Sequence, residues 1–383
     1  MIALPTTTAA TAATAGDAAA PAVPVAAAVP DKPHLAYLDL FRGISIVQVV
    51  LIHAGNALLL RGLPHMQGDA PIVYGVLHIV AHDATIYFAV ISGILYGHVF
   101  SRRKHTRFLS RRLRNVGLPY LIVTVALTVM LWSVDRQRSA ASLDTAVLVR
   151  RLVVNLATGA TWNTLWYIPV ILLLYAISPL LSAILHGRRW RWAWALVLLA
   201  PLVVSRTGTD FTLATVVYFA GSYTIGLTIG ANLDARLRWL AARSAWLWLL
   251  AGGATASLTF LFTSGLDYWG FVSLRESAFY VQRLALAALL LLALRARRDR
   301  LTPAARKVAT FAAGASFGIF FVHGPLLRPI ARYVGELVPD EQPWWALVAA
   351  IGATFVAGLL LSAALVQVMR RLLGRRSRLV IGA

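Results

Sequence analysis

The sequence predicts an all-α, polytopic integral membrane protein of about ten transmembrane helices with both termini cytoplasmic. Three observations point there. Hydrophobic residues make up 59% of the 383-residue chain and charged residues 13%, with a mean hydropathy of +0.71, whereas soluble domains carry roughly 25% charged residues. Apolar runs recur at roughly the 17–25 residues that a helix needs to cross a bilayer. The net charge of +21 comes from arginines clustered between those runs. That distribution fixes membrane topology and is unlike a basic nucleic-acid-binding face.

Residues 1–33 are mostly Ala, Thr and Pro. No Lys or Arg precedes Lys32, so the basic start of a signal peptide is missing. Pro21, Pro24 and Pro30 interrupt the apolar stretches, and a disordered tail is expected. A transmembrane domain is expected over 34–372, and a basic cytoplasmic tail over 373–383. Its spans fall at about 41–60, 74–100, 116–134, 165–185, 193–205, 212–230, 244–263, 277–295, 308–332 and 344–369. The second is long and is expected to tilt or break near its outer end; the fifth is short. With the N-terminus inside, one set of loops holds 25 of the 36 Lys and Arg residues and the opposite set eight. Arg42, Arg283 and Arg328 fall within spans. An odd number of spans would put basic loops on both sides. The apolar stretch Ala146 to Thr158 is expected along the outer interface.

Candidate functional residues are those that a lipid-facing helix would not carry. In LDLFRGISIVQVVLIHAGNALLL, Arg42 and His53 are eleven positions apart, which puts them on nearly one helical face, about 16 Å apart along the axis. The second span carries His78, His82, Asp83, Ser92 and His98. His53 and Asp83 are expected at similar depth, where a carboxylate would fix the imidazole's tautomer; alternatively, His82 and Asp83 sit in a wet outer vestibule. His323 lies mid-span in SFGIFFVHGPLLRPI, with Ser316 two turns earlier on the same face. Pro325 and Pro329 are expected to kink that helix or end it early. In the basic block RRKHTRFLSRRLRNVGLPY, Arg111 and Arg114 share a helical face, which suits either a phosphate clamp or anionic lipid. Trp166 and Tyr167 look like an interfacial aromatic belt. Glu276 and Arg283 look like a structural pair. Cysteine is absent, which excludes disulfides and thiolate chemistry, and no metal site is expected.

Taken together, these residues resemble the membrane-bound acyltransferase 3 family, from about Leu35 to Leu365. LDLFRGISIVQVVLIH is similar to its first helix, and YFAVISGILYGHVF to its aromatic Ser-Gly motif. FLSRRLRNVGLPY is similar to its Arg-x-x-Arg stretch, and LWYIPVILLLYAISPLL and SFGIFFVHGPLL to its later segments. One departure is Tyr87-Phe88-Ala89 in place of the commoner double-Phe run, which adds a polar group near Ser92. The resemblance implies transfer of an acyl group, often acetyl from acetyl-CoA, to a hydroxyl of a sugar or other acceptor. It maps the family's functional residues onto Arg42, His53, Arg111, Arg114, Ser92, Ser316 and His323.

On that footing His53, Arg42, Asp83 and His323 are the expected catalytic residues, and Arg111, Arg114, Ser92 and Ser316 the expected cofactor-binding ones. No cofactor is held permanently; acyl-CoA is the donor substrate. The expected partners are a saccharide or lipid-linked saccharide and membrane lipid, with no nucleic acid, in a bacterial inner membrane. His53 serves either as general base for direct attack or as a transient acyl-imidazole. A transporter or flippase lined by the same residues is the alternative.

Overall fold

The computed structural model describes residues 35–101, 104–138, 145–187, 190–206, 211–300 and 302–383. The tail expected over 1–33 lies outside them, as do Arg102, Arg103, Arg188 and Arg189 of the basic loops.

The chain is almost wholly helical. In order, the helices are α1 (Ala36–Ala57), α2 (Ala70–Ala81), α3 (Thr85–Leu95), α4 (His105–Arg112), α5 (Leu118–Arg138), α6 (Thr145–Thr158), α7 (Tyr167–His186), α8 (Arg191–Leu199), α9 (Leu213–Ala231), α10 (Leu233–Ala241), α11 (Ser244–Ser264), α12 (Leu274–Arg297), α13 (Pro303–Gly335), α14 (Trp344–Leu373) and the short α15 (Ser377–Val380). Five-residue π-helical turns extend α1 and α3 and join α4 to α5. A two-residue hairpin, β1 (Tyr268–Trp269) with β2 (Val272–Ser273), precedes α12.

Among the described residues, nine helices are long and apolar enough to cross a membrane. The fifth expected span differs. Its helical part, Arg191–Leu202, holds 12 residues and reaches only about 18 Å, against a hydrocarbon core of about 30 Å. Pro201 ends it in a 3-10 turn. The chain then continues without helix to Arg206, where Ser205 hydrogen-bonds Phe271 and Ser273 in the loop before α12. A short helix plus a non-helical segment thus joins the end of α7 to the opposite end of the bundle.

The second span breaks as expected. α2 ends at Ala81, and Asp83 takes a left-handed backbone, φ +57°, before α3 begins. Arg283 donates to the carbonyls of His78 and Ile79, at 3.4 and 2.8 Å, beside the break; the first of them also accepts from the His82 N–H at 2.9 Å. Of the two outcomes expected at Pro325 and Pro329, a kink or an early end, α13 does not show the early end: it runs through both prolines to Gly335. Neighbouring helices α1 and α14 pack along it and support the interrupted backbone. The C-terminal residues do not form a free tail. Ile381 and Ala383 are buried, and Gly382 lies against Phe317 and Phe321 of α13.

The tightest crossing is α3 on α9. Gly93 and Gly97 face Gly226 and Gly230, one small residue every turn on each helix. A Cβ on Gly93 would run into the carbonyl of Tyr223, and one on Gly226 into that of Val90. Small residues four apart let membrane helices meet backbone to backbone, where van der Waals packing takes the place of the hydrophobic effect. Gly252 on α11 has open space around its Cα. Gly226→Ala is therefore expected to lower stability by about 1–3 kcal/mol through overpacking, while Gly252→Ala is neutral or stabilising by up to about 1 kcal/mol. Thermal unfolding of the two variants in detergent checks this; equal effects would remove the crossing as a determinant.

Candidate active site

α1 carries Arg42 and His53, and the second of them meets α13. The half-buried His53 ring has its centroid 5.2 Å from that of His323, which is fully buried. His53 therefore faces the bundle interior and not the lipid. His323 Nδ1 lies 2.9 Å from the Ile319 carbonyl. A carbonyl can only accept, so Nδ1 carries the proton and Nε2 the lone pair. That Nε2 is buried and has no hydrogen-bond partner. Leaving such an acceptor open costs about 1–3 kcal/mol, a cost that a site awaiting a ligand or proton accounts for. The loop before α7 presses on this point. A Cβ on Gly324 would come within 2.7 Å of the Trp162 ring and 2.8 Å of Thr164 Oγ1, so the residue after His323 must be small.

Arg42 lies toward the other end of the same face, half-buried and within electrostatic reach of Arg112, Asp39 and Tyr175. The Arg112 guanidinium sits against Phe100, Phe108 and Tyr175, 5.2 to 5.8 Å from their centroids. The Tyr175 hydroxyl is 3.1 Å from Ser92 Oγ. On α3 Ser92 and Leu95 are half-buried, and the other residues are buried. Arg42, Arg112, Tyr175 and Ser92 thus form one polar group inside the bundle.

The structure does not bring all the expected residues together. Arg111 and Arg114 are exposed. α4 ends at Arg112 and passes into a π-helical turn, and Arg112, four residues after the buried Phe108, is the one on the inward face. Ser316 is fully buried, and its hydroxyl donates to the Ala313 carbonyl at 2.8 Å. Asp83 does not pair with His53. Its Oδ1 accepts from Arg206 Nη2 at 2.6 Å and its Oδ2 from the Tyr218 hydroxyl at 2.7 Å. The left-handed backbone at the break turns this carboxylate toward α9 and the loop before it. Nor do Trp166 and Tyr167 form an interfacial belt. Both are buried, Trp166 under the Arg206 guanidinium at 5.1 Å and Tyr167 against Phe219 and Phe320. Glu276 pairs with Arg206, Nε to Oε2 3.5 Å, and not with Arg283.

Arg206 was not among the expected site residues, because a lone arginine after a weak span reads as a loop charge. Burial disfavours its charge, but the carboxylates of Asp83 and Glu276 outweigh that and hold its pKa above the ordinary value. His82, Asp83 and Glu276 offer ligand atoms within 4.8 Å of one another. The guanidinium already supplies the positive charge there, so the group reads as an ion-pair network.

The family model described as an acyltransferase domain, that of the acyltransferase 3 family, matches residues 35–363. No curated protein and no solved structure was found to match. The matched range takes in both imidazoles, Arg42, Arg112 and the Arg206 network.

Removing one partner of a buried ion pair leaves an uncompensated charge and costs about 3–5 kcal/mol. Arg206→Met is expected to destabilise by that amount, read by thermal unfolding in detergent. A loss below about 1 kcal/mol would mean that the network does not hold the α2–α3 break.

Proposed function

The chain belongs to the acyltransferase 3 family and is a multi-pass membrane acyltransferase; from that premise we propose that it moves an acyl group, acetyl in the simplest case, from acyl-CoA to a hydroxyl of a saccharide, free or lipid-linked, at a bacterial inner membrane. The observation that carries the reading is the His53–His323 pair: two imidazoles that meet inside the bundle, the first on the α1 face that also bears Arg42 and the second on α13. The family match does not favour the transporter alternative.

The donor is polyanionic. Arg42 and Arg112, the second backed by aromatic rings, offer guanidinium charge for its phosphates. The exposed Arg111 and Arg114 steer it from solution. With both termini and the basic loops cytoplasmic, this end opens to the cell interior. The thioester then reaches toward His53. His53 takes the proton of the acceptor hydroxyl as its oxygen attacks the thioester carbonyl. The carbon–sulfur bond breaks, an ester forms, and coenzyme A leaves as a thiol with the proton returned from the imidazolium. His323, held as the Nδ1–H tautomer, keeps its Nε2 lone pair toward the interior as a second proton acceptor. The bundle excludes bulk water, which limits hydrolysis of the thioester.

His53→Ala is expected to bind acetyl-CoA normally and lose transfer by about 10²–10⁴-fold. Normal turnover by this variant would remove the imidazole from the chemistry. Arg112→Ala should raise the Kd for CoA by about 10–100-fold, the loss of one charge-assisted hydrogen bond. Arg111→Ala and Arg114→Ala should act only at low salt. Equal effects of all three would reassign the donor site to the surface.

A further inference from the structure

A cluster of charge that the transfer chemistry does not use gathers where α10, α11 and α12 meet. Residues 232–243 and 295–300 hold seven arginines against two aspartates. Between the two segments lies a cavity of about 700 Å³, lined by Arg238, Arg295, Arg297 and Arg298 and by Ser244. Among the described residues no carboxylate lines it. Asp234 ion-pairs with Arg295 at 2.7 Å, whereas Arg238 and Arg297 are exposed. Guanidinium groups gathered in this way favour an anion among them, and a phosphate above all.

The cavity continues into an apolar groove, and Trp248, Leu289 and Ala293 line both. The groove holds about 450 Å³ between α1, α11 and α12, and Ile44, Val47 and Leu51 form its α1 wall. Its polar lining is Gln48 and Tyr87, and the Gln48 amide already donates to the Val80 carbonyl at 2.7 Å. Along α12 the groove reaches from the arginines to Leu286, about 13 Å from Arg295. One leaflet's hydrocarbon is about 15 Å deep. At the junction Trp248 is 64% exposed, as indole rings are where headgroups meet chains. A second apolar groove, of about 320 Å³ and walled by α8, α9, α11 and α12, has no charged residue in its lining. The arginines therefore set the first groove apart.

The two halves together decide the occupant. A soluble phosphate uses the arginines and leaves the groove without a role. A zwitterionic phospholipid fills the groove but brings its own cation against the arginines. An anionic phospholipid meets both requirements. We propose that this is a site for one anionic phospholipid, with its phosphate among Arg238, Arg295, Arg297 and Arg298 and one acyl chain in the groove between α1, α11 and α12. α11 is the helix that needs it: its buried residues are Ala251, Ala254, Leu258 and Leu261, with none in its first two turns. The lipid ties those turns to α1 and α12. The inference stands apart from the acyl-transfer reading.

The test uses the full chain in detergent and three probes: dioleoylphosphatidylglycerol, dioleoylphosphatidylcholine and glycerol phosphate. Binding of the first lipid is read by native mass spectrometry, and the melting temperature is measured on the same samples. The wild type is expected to prefer phosphatidylglycerol over phosphatidylcholine by about 30-fold or more, and to ignore glycerol phosphate. Arg238→Gln with Arg297→Gln, both at exposed side chains, should weaken phosphatidylglycerol binding by about 25-fold, roughly fivefold for each arginine, and leave phosphatidylcholine as it was. Arg306→Gln with Lys307→Gln, on the basic surface at the start of α13, should change it by less than about threefold. Val47→Trp fills the groove from an exposed position and should weaken both lipids by about threefold or more, since packing and not escape from water holds the chain. If Val47→Trp does not fold, Trp248→Ala takes its place. The proposal is overturned if the wild type shows no preference, if the preference survives loss of Arg238 and Arg297, or if loss of Arg306 and Lys307 removes it equally. It is also overturned if the groove variant binds as the wild type does. A rise in melting temperature with glycerol phosphate that the Arg238 and Arg297 substitutions abolish would overturn it too, because the cavity would then take a soluble phosphate.

Discussion

The polar interior of this protein depends on a backbone-to-backbone crossing. α3 and α9 meet through Gly93, Gly97, Gly226 and Gly230, so close that the carbonyls of one helix take the space of the other's missing side chains. In lipid there is no hydrophobic gain from bringing two apolar helices together, and packing of this closeness supplies the attraction instead. The crossing also sets the register. It holds Tyr218, at the start of α9, against Asp83 at the start of α3, and it puts Tyr223 within 2.7 Å of Ser178 on α7. A helix pair one methyl further apart would disturb each of these hydrogen bonds.

From that contact the charged groups follow. Arg283 donates to the carbonyl end of α2 beside the break, and the break turns Asp83 toward Arg206. Ionised groups at this depth are tolerated because each has a counter-charge or a polar partner; unpaired, they would be far more costly. The result is a set of polar groups inside a largely apolar bundle: Arg42 with Arg112, His53 with His323, and the network of Asp83, Arg206 and Glu276 at the α2–α3 break.

Much of this was legible in the sequence. Long apolar runs fix helices because lipid leaves no other way to satisfy a backbone, and nine of the ten expected spans appear as long helices. Arg42 and His53 were legible because spacing along one straight helix fixes a shared face. His323 was legible as an ionisable residue in mid-span. What spacing could not give was the partner on another helix. Asp83 was matched to His53 by depth alone, but its direction depends on a left-handed residue at a break. Arg111 and Arg114 were chosen by an α-helical period that a π-helical turn interrupts. One sign of Arg112 was available: it lies four residues after Phe108, on the apolar side of a basic helix. The Gly-x-x-x-Gly pairs in SGILYG and IGLTIG could also have been read from the chain; only their meeting could not.

The account stands on position 53 facing a water-reachable space inside the bundle that the donor fills. The chain contains no cysteine, so a single His53→Cys substitution can be probed directly. Labelling by a membrane-impermeant maleimide, in opened membranes with and without acetyl-CoA, is the most direct measurement. The account predicts that the thiol is labelled and that acetyl-CoA slows the reaction. A thiol that stays unlabelled, or one whose labelling ignores acetyl-CoA, would contradict it.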